Sequence, residues 1–417
     1  MFLYNITISL YFALIRLFSL FNSKAKLLIA GQRNWKLPLE NAIKSFGNDP
    51  VIWIHCASVG EFEQGRPLIE SIREKHLNYK ILLSFFSPSG YEMHKNYKLA
   101  DFVTYLPFDK KRNVRRFIES SNPKAVIFVK YEFWLNYLFE LKKRGIPTFL
   151  VSAVIKKHQP FFKWYGAPFV KALQSYRRIF VQDGDSLELL ESLGASNGEA
   201  CGDTRIDRVI AVRDRSGDNK IVKDFCSDNK IIVAGSTWGK DETVILKSFI
   251  HLKEKKYNTL RLVLVPHEVD EKNIARVEKD LSLLNVTYSK YTTFKDTDKN
   301  SDILLVDTIG ILSSIYKYGQ IAYIGGGFDD GIHNILEPAV FGLPVIFGPN
   351  HEKFNEASRL LKLGAATEIT DDSELSEILE KYLNSAPILD NASQIAHAYV
   401  NANKGATEKI LKQIPFA

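Results

Sequence analysis

The chain has 417 residues, of which 45% are hydrophobic and 25% are charged. This composition excludes an intrinsically disordered protein, and the length is enough for two ordinary domains. The three cysteines, Cys56, Cys201 and Cys226, form no CxxC pair, which excludes a disulfide framework and a cysteine-based zinc site and fits a reducing compartment. The formal net charge of +7 suits nucleic acid, an anionic membrane face or phosphorylated substrates equally well.

The N-terminal 21 residues are mostly apolar or aromatic and carry one charge, on Arg16. As a helix they would be about 30 Å long, which matches the hydrocarbon core of a bilayer. No basic stretch precedes them and no A-x-A site follows, which argues against a cleaved signal peptide. The cations that follow would hold the rest of the chain in the cytoplasm. We expect residues 1–22 to form a membrane anchor, either a single span or an interfacial helix; a soluble helix packed on the first domain is the alternative.

From Val51 onward, short β-branched or aromatic runs alternate with longer amphipathic stretches, which is typical of βα units on a parallel sheet. The predicted strands are Val51–His55, Lys80–Ser84, Phe102–Tyr105, Ala125–Val129, Thr148–Ser152, Ile179–Gln182, Lys230–Ala234, Arg261–Val265, Ile303–Val306, Ile321–Ile324 and Pro344–Phe347.

Two Rossmann-like domains of similar size follow from this alternation. We predict the first over residues 34–212, a polar linker over 213–228, the second over 229–395 and a helical tail over 396–417. The carboxyl ends of the two sets of strands would face each other across a cleft, where ligands of such folds bind.

The first informative motif is HCASVGEFEQGR, residues 55–66, at a strand-to-helix turn that Gly60 permits. Glu61 falls near the start of the helix, where the helix dipole favours an ionised carboxylate that could act as a general base. The competing interpretation is that Glu61 only caps the helix.

Two further candidates follow strand ends in the first half. Glu132 lies in KYEFW, and a structural ion pair is an equal alternative for it. Arg205 lies in CGDTRID and could meet a nucleotide phosphate, because guanidinium matches phosphate oxygens bidentately. A plain surface arginine is the alternative.

The second half opens with AGSTWGKDE, residues 234–242, in which a glycine- and hydroxyl-rich turn precedes a helix. The backbone N–H groups at such a helix start form an anion site. The motif is neither GxGxxG nor a Walker sequence, which disfavours dinucleotide-binding and P-loop proteins.

The most specific motif is IGGGFDDGIHNILEPAVFGLPVIFGP, residues 324–349. Its glycines at a strand end would let a ligand approach the backbone. Asn334 and Glu337 are three residues apart at a helix start and would project to the same side. A carboxylate there can accept two hydrogen bonds from a ribose diol, and a capping arrangement is the alternative.

Two basic segments lie in the first half. One contains Lys110, Lys111, Arg112, Arg115 and Arg116, and the other is KKHQPFFKWY, residues 156–165. Mixed aromatic and basic residues favour a lipid headgroup interface. They could also stack single-stranded nucleic acid, but no nucleic-acid-binding module is visible, so we expect no nucleic acid partner.

Taken in order, these motifs resemble the 3-deoxy-D-manno-oct-2-ulosonic acid (Kdo) transferases of lipopolysaccharide assembly, most strongly in HCASVGEFEQGRPLIESI and HNILEPAVFGLPVIFGP. The resemblance implies an α/β GT-B fold, a CMP-Kdo donor and a lipid A precursor (lipid IVA) as acceptor. It also implies an inverting reaction that needs neither metal nor cofactor, at the cytoplasmic side of the inner membrane.

Carried over by position, the resemblance makes Glu61 the general base and lets Glu132 and Arg205 stabilise the transition state. The donor-binding positions that it implies are Pro266, His267, Gly310, Ile311, Asn334, Ile335, Leu336 and Glu337. The glycine- and hydroxyl-rich turns described above add Ser236, Thr237, Gly326 and Gly327.

Four positions depart from the family pattern. Lys130 replaces the first acid of ETELW, Arg205 a lysine, and His267 the arginine of PRHPER, while Trp238 stands where small or polar residues are common. The change at His267 puts the details of donor phosphate contact in question.

Two rival functions stay open at the level of sequence. One is a UDP-sugar enzyme of the same fold, either an N-acetylglucosaminyl transferase or a 2-epimerase, although an epimerase would not need the N-terminal anchor. The other is a catalytically silent membrane-surface binding module, against which the presence of both Glu61 and Glu132 argues.

Overall fold

A computed structural model describes residues 1–416 and divides the chain into two compact units. Unit 1 contains Met1–Asp207 together with the C-terminal residues from Lys404 onward, and unit 2 contains Arg208–Asn403. Each unit has one seven-stranded sheet in which every neighbouring pair of strands is parallel. The predicted α/β class with two parallel sheets is therefore confirmed.

The strands of unit 1 are β1 Val51–Cys56, β2 Lys80–Phe85, β3 Phe102–Tyr105, β4 Ala125–Val129, β5 Thr148–Ala153, β6 Arg178–Val181 and β7 Gly198–Ala200. Those of unit 2 are β8 Lys230–Thr237, β9 Leu260–Pro266, β10 Tyr288–Lys290, β11 Ile303–Leu305, β12 Ile321–Ile324, β13 Val345–Phe347 and β14 Ala366–Glu368. The strand orders are β3-β2-β1-β4-β5-β6-β7 and β10-β11-β9-β8-β12-β13-β14.

The helices are α1 Phe2–Phe18, α2 Ser23–Asn34, α3 Lys36–Ser45, α4 Val59–Lys75, α5 Pro88–His94, α6 Lys111–Ser121, α7 Leu135–Lys143, α8 Ala167–Leu173, α9 Gly184–Ser192, α10 Thr204–Arg215, α11 Lys220–Cys226, α12 Gly239–Glu254, α13 Glu271–Ser282, α14 Leu312–Ile315, α15 Leu336–Ala339, α16 Asn355–Leu363, α17 Asp372–Asn384, α18 Ala386–Ala402 and α19 Ala406–Leu411.

Successive residues of the central strands serve two different cores. In β1, Trp53 joins the hydrophobic cluster on one side of the sheet, while Ile52 and Ile54 join the cluster on the other side. Helices cover both faces, so the strands read as continuous apolar runs rather than as alternating ones. This is why the eleven predicted strands correspond to strands of the structure. The three-residue strands β7, β10 and β14 are not among these eleven.

One face of helix α1 packs on the rest of unit 1, and the opposite face is exposed. Its Tyr4 hydroxyl donates to Asp109 at 2.5 Å, and Asn136 Nδ2 donates to Asn5 Oδ1 at 2.9 Å. The Phe12 ring stacks on Phe108. Helix α1 thus packs on the first domain, as the alternative interpretation of this segment expected. Within residues 1–416, no helix combines the length and the apolar character that a membrane crossing requires, and the membrane anchor stays a prediction.

The C-terminal helices belong to different units. Helix α18 ends in unit 2, whereas α19 packs in unit 1, where the Asp207 carboxylate accepts hydrogen bonds from the main-chain N–H groups of Gly405 and Thr407 at 2.5 and 2.6 Å. The predicted tail, 396–417, is helical but shared between the units over its described part. The predicted linker, 213–228, contains α11, and the units divide between Asp207 and Arg208.

Candidate active site

Glu61 lies in the first turn of α4, as predicted, because Ser58 caps that helix. The Ser58 hydroxyl accepts a hydrogen bond from the N–H of Gly60 at 3.3 Å and donates one to Glu61 Oε2. Lys130 Nζ lies 4.0 Å from Glu61 Oε1, and the Glu61 side chain is 15% exposed. The carboxylate is therefore held in place yet accessible, which suits a proton acceptor. The contact with Ser58 is equally what a capping role requires.

Glu132, directly after β4, is more deeply enclosed, with 4% of its surface exposed. The indole N–H of Trp134 donates to its Oε2, and His55 Nε2 lies 3.2 Å from the same oxygen, at ion-pair distance rather than in hydrogen-bond geometry. The Tyr176 hydroxyl donates to the main-chain oxygen of Glu132. One side chain from the same segment and two from other parts of unit 1 thus fix the position of this acid.

The two acids follow paired strands, β1 and β4, and the thiol of Cys56 lies within electrostatic reach of both. Burial raises its pKa well above the ordinary value, and the negative charges of Glu61 and Glu132 raise it further. Both carboxylates therefore act on one buried atom at the end of β1. Helix α4 can come this close because Gly65 faces the thiol: a Cβ at Gly65 would lie 2.8 Å from the Cys56 sulfur.

Lys130 has a strained backbone between β4 and Glu132. Its φ of +73° is in the left-handed region, which costs a residue with a side chain about 1–2 kcal/mol. Its ammonium group lies 5.2 Å from the centroid of the Tyr131 ring, in addition to its approach to Glu61. Strain of this kind persists where the surroundings fix the residue, and it concentrates at functional sites.

Arg205 lies in the first turn of α10 and is paired with Asp203. Its Nε lies 3.0 Å and its Nη2 2.6 Å from Oδ2 of Asp203. The preceding residue, Thr204, donates a 2.6 Å hydrogen bond from its hydroxyl to the main-chain oxygen of Gln64 in α4. The structure thus joins the start of α10 to the helix that carries Glu61, and a phosphate role for Arg205 stays a prediction.

In unit 2, Asp241 ties together the loops that follow β8 and β12. Its buried carboxylate accepts hydrogen bonds from the N–H groups of Trp238 and Gly326 at 3.0 and 2.8 Å and from the Tyr323 hydroxyl at 2.8 Å. Burial raises the pKa of Asp241, whereas these three donors lower it. The predicted anion-binding turn is therefore braced from within by a carboxylate that sequence reasoning did not single out.

The glycines after β12 pack against protein rather than leaving open space. A Cβ at Gly325 would lie 2.2 Å from the Ser236 oxygen, and one at Gly326 would lie 2.3 Å from the Gly331 oxygen. At Gly327 it would lie 2.6 Å from the Gly348 nitrogen. The expected reason for these glycines, close approach of a ligand, is thus replaced by close approach of neighbouring loops, and donor contact by Gly326 or Gly327 stays a prediction.

Three rings cluster at the same strand ends. His267 stacks on Trp238 at 4.7 Å and on His333 at 4.3 Å between centroids. Trp238 Nε1 donates to His333 Nε2 at 3.0 Å. Burial, with a smaller contribution from His267, lowers the pKa of His333 to about 4, so this imidazole is neutral at pH 7 and can accept that bond. Neither Trp238 nor His267 follows the family pattern, and here they contact each other.

Glu337 begins α15 as predicted and meets Asn334, whose Nδ2 donates to Oε1 at 3.1 Å. Asn334 Oδ1 also accepts a hydrogen bond from the N–H of Leu336 at 3.2 Å. Burial raises the pKa of Glu337, opposed by that amide bond and by the charge of Arg208. Part of the Glu337 surface remains accessible, so Oε2, which Asn334 does not contact, can still accept a hydrogen bond from a ligand hydroxyl.

The other predicted donor-binding residues differ in accessibility. The side chains of Thr237, Pro266, Ile335 and Leu336 are buried, which leaves only their backbones for a ligand, whereas Ser236, His267, Gly310 and Ile311 are partly or fully exposed. The Thr237 hydroxyl already donates to Glu242 at 3.2 Å. Gly310 has a φ of +86° just before α14, which only glycine adopts without strain.

Sequence reasoning missed several partners of the predicted residues. His55 and Trp134 lie inside the quoted motifs, yet nothing in their spacing shows that both reach Glu132. Asp241 could have been found, because an acid three residues after the helix N-cap is a capping signal. Within residues 1–416, no group of three or more His, Cys, Asp or Glu side chains is placed to hold a metal ion.

Comparison with known proteins gives consistent results. Residues 32–208 match the family model described as 3-deoxy-D-manno-octulosonic-acid transferase. A transferase of that name from Aquifex aeolicus is 32% identical over 80% of this chain and 86% of its own length. One from Haemophilus influenzae is 28% identical over 86% and 85%. The UDP-GlcNAc 2-epimerase of Neisseria meningitidis aligns with a TM-score of 0.61 and 16% identity over 87% and 98%, which shows a shared fold alone.

Proposed function

Because the chain belongs to the 3-deoxy-D-manno-octulosonic acid transferase family, and is thus a glycosyltransferase that transfers Kdo in lipopolysaccharide biosynthesis, we propose that it moves Kdo from CMP-Kdo to the lipid A precursor lipid IVA with inversion. The observation that carries the proposal is the pair of acids that follow the paired strands β1 and β4 in unit 1, with Glu61 accessible and Glu132 enclosed. Family membership removes the two rivals, an enzyme of UDP-sugars and a silent binding module.

Glu61 is the general base in this proposal. It takes the proton from an acceptor hydroxyl while that oxygen forms a bond to the anomeric carbon of Kdo. The bond from that carbon to the phosphate oxygen of CMP breaks on the opposite face, and CMP leaves with the electron pair. Lys130 and Ser58, which contact the two carboxylate oxygens, hold Glu61 for this step. A base positioned in this way typically contributes about 10²–10⁴-fold to the rate.

In the same proposal, Glu132 and Arg205 stabilise the charges that develop in the transition state. As the glycosidic bond breaks, positive charge develops on the Kdo ring and negative charge on the leaving phosphate. An enclosed carboxylate fixed by Trp134 and His55 stabilises the first without reorganising, and a guanidinium stabilises the second. Because no metal enters these steps, we propose that the reaction is metal-independent; turnover that requires an added divalent ion after chelation would contradict this.

The donor nucleotide is assigned to unit 2. Glu337 accepts the ribose hydroxyls with the oxygen that Asn334 leaves free, and the turn braced by Asp241 offers main-chain N–H groups to the phosphate. Two members of the ring cluster that includes His333, namely Trp238 and His267, stand where the family pattern has other residue types.

We further propose that the enzyme works at the cytoplasmic side of the inner membrane, attached through α1. Its outward face carries exposed apolar side chains, and two more follow directly after the helix: Phe2, Leu3, Ile6, Leu10, Leu14, Leu17 and Phe18, then Leu20 and Phe21. Trp164, 93% exposed beside Lys163 in the second basic segment, adds an aromatic residue of the kind that favours headgroups. A helix with one apolar face of this kind binds in the plane of the interface.

The function is tested by incubating purified full-length protein with CMP-Kdo and tetra-acylated lipid A precursor and measuring product masses. We expect acceptor that has gained one or more Kdo units, at a rate that Glu61→Gln lowers strongly. UDP-N-acetylglucosamine replaces CMP-Kdo in a parallel reaction and should yield no product. Absence of Kdo addition by folded protein would contradict the proposal.

The membrane proposal needs a milder change than deletion of α1, because deletion would uncover Phe108 and leave Asp109 and Asn136 without Tyr4 and Asn5. Leu10→Gln combined with Leu17→Gln alters only exposed side chains. We expect this variant to fold normally and to lose most of its binding to anionic vesicles. A matched control, Leu77→Gln combined with Leu283→Gln, changes exposed leucines elsewhere and should bind like the wild type; equal losses in both would contradict the role of α1.

A further inference from the structure

A cavity of about 390 Å³ opens in unit 1 between α1, α2 and the segment that joins β3 to α6; we call it the α1–α2 cavity. Three cationic side chains line it: Arg16 from α1, Arg33 from α2 and Lys110 from the segment before α6. Among the described residues, its lining includes no acid. The volume is in the range of sites that hold small ligands or parts of larger ones.

The three cations are not neutralised by the protein. Within residues 1–416, the side chains of Arg16, Arg33 and Lys110 have no hydrogen-bond or ion-pair partner, and Lys110 only approaches the Phe12 ring at 5.9 Å. The neighbouring acid, Asp109, is turned inward and accepts hydrogen bonds from Tyr4 and from the N–H groups that begin α7. Like charges gathered around one concave space repel each other, and an anion placed between them relieves that repulsion.

The wall of the cavity is formed in advance. The rings of Phe12 and Phe108 stack with centroids 3.3 Å apart. Gln32 joins α2 to the opposite segment twice: its Nε2 donates to the Leu106 oxygen at 2.8 Å, and its Oε1 accepts from the N–H of Phe108 at 2.8 Å. A ligand would therefore meet an ordered wall rather than three cations on a mobile surface, which separates this site from an ordinary solvated face.

The surroundings of Arg16 indicate what carries the anion. Arg16 stands on α1 between Leu14 and Leu17, which are both exposed on the apolar outward face of that helix. A ligand with an anionic head in the cavity could extend acyl chains along this face. We propose that the α1–α2 cavity binds the phosphoryl group of a membrane lipid, with Arg16 and Arg33 as bidentate donors and Lys110 as a point charge.

An aromatic path joins this cavity to the catalytic acids. The Trp134 ring, whose N–H donates to Glu132, lies 4.9 Å from Phe86, and Phe86 lies 6.2 Å from Phe108 on the cavity wall. The phosphoryl group has two possible sources: a phosphorylated acceptor, which rests on the function proposed above, or an anionic phospholipid of the bilayer, which does not.

The test compares full-length Arg16→Gln/Arg33→Gln with Lys24→Gln/Lys26→Gln. The control pair removes the same charge from exposed positions in α2 that do not line the cavity. Both are measured by co-sedimentation with phosphatidylcholine vesicles that contain phosphatidic acid, and by KM and kcat with phosphorylated and dephosphorylated acceptor in detergent. Loss of charged hydrogen bonds to a phosphate corresponds to about tenfold or more in affinity.

The expected result depends on the source and supports the proposal in either case. If the acceptor fills the cavity, the cavity variant raises KM at least about tenfold for phosphorylated acceptor only, with kcat unchanged. If a phospholipid fills it, vesicle affinity falls about tenfold more than in the control, with KM unchanged. The vesicle arm requires no Kdo transfer, so its result stands even if the proposed function fails. A cavity variant that matches the control in both arms overturns the proposal.

Discussion

Glu61 and Glu337 occupy the same kind of position in two different units, and their surroundings differ. Each lies in the first turn of a helix that follows a strand end. Both carboxylates are partly exposed, but Glu61 meets a hydroxyl and a cation, whereas Glu337 meets an amide, with Arg208 close enough to affect its pKa. Both proposed roles need an accessible oxygen, but a general base takes the proton of the hydroxyl that it contacts, whereas a ribose-binding carboxylate only accepts a hydrogen bond from it. Similar sequence positions thus support different chemistry.

The largest expected effect is that of Glu61→Gln, which keeps shape and hydrogen bonding but removes the proton acceptor. Turnover should fall by about 10²–10⁴-fold, measured by product mass over time. The thermal midpoint should barely move, because a helix-start charge is worth only about 0.3–1 kcal/mol. Near-normal turnover in a folded variant would return Glu61 to a capping role and leave Glu132 as the candidate base.

Glu337→Ala should act on binding instead. Removing the acceptor of the ribose hydroxyls should weaken binding of CMP, followed by calorimetry, by about 1–3 kcal/mol. Glu368→Ala provides a matched control, because that acid lies at the end of β14 in the same unit and contacts His351 instead. Unchanged CMP affinity in the Glu337 variant would remove the ribose role.

The substitution Lys130→Gly separates the role of Lys130 in positioning Glu61 from its effect on the stability of the fold. Glycine relieves the left-handed backbone at φ +73° but adds chain entropy to the unfolded state, so the free energy of unfolding should change by less than about 1 kcal/mol. Glu61 would lose the cation 4.0 Å from its Oε1, and kcat should fall by roughly tenfold, equivalent to about 1.4 kcal/mol. Lys130→Arg should restore most of the rate; if Lys130→Gly is fully active, Lys130 has no positioning role.

The smallest expected effect at pH 7 is that of His333, which alters stability only in acid. Its pKa of about 4 in the folded chain lies below the ordinary 6.5, so the unfolded chain takes up this proton first. The contribution of His333 to stability is therefore lost as pH falls from about 6.5 to about 4. Protection factors of the β12 amides, which are corrected for the intrinsic pH dependence of exchange, should fall over this interval, and less so in His333→Gln. Identical pH dependence in both proteins would show that a lowered pKa of His333 does not make stability depend on pH.

Much of the fold could be predicted because its signals are local. Each central strand is an apolar run buried on both faces, and Gly60 and Pro338 mark turns and helix starts near the acids. The strands β10 and β14 are too short and polar for such a signal. The return of α19 to unit 1 depends on Asp207, about two hundred residues earlier in the chain, which no local pattern encodes.

In the candidate site, too, the sequence predicts local features but not long-range contacts. The positions of Glu61, Glu132 and Glu337 at strand and helix ends follow from the sequence, but their partners do not. His55 reaches Glu132 only because β1 and β4 are adjacent in the sheet, and Trp134 does so by a turn of its own segment. Asp241 reaches Gly326 across the sheet of unit 2. The glycines after β12 look like ligand-binding residues in the sequence, while in the structure they admit neighbouring backbone.

The most direct test of the division between a catalytic acid in unit 1 and a donor-binding acid in unit 2 is a single-turnover experiment over a range of CMP-Kdo concentrations. Glu61→Gln should keep the donor concentration for half-maximal rate and lose about 10²–10⁴-fold in the maximal rate. Glu337→Ala should raise the half-maximal concentration and recover a near-normal maximal rate at saturating donor. A Glu61 variant with a normal maximal rate, or a Glu337 variant that stays slow at saturation with normal half-maximal concentration, would contradict the account.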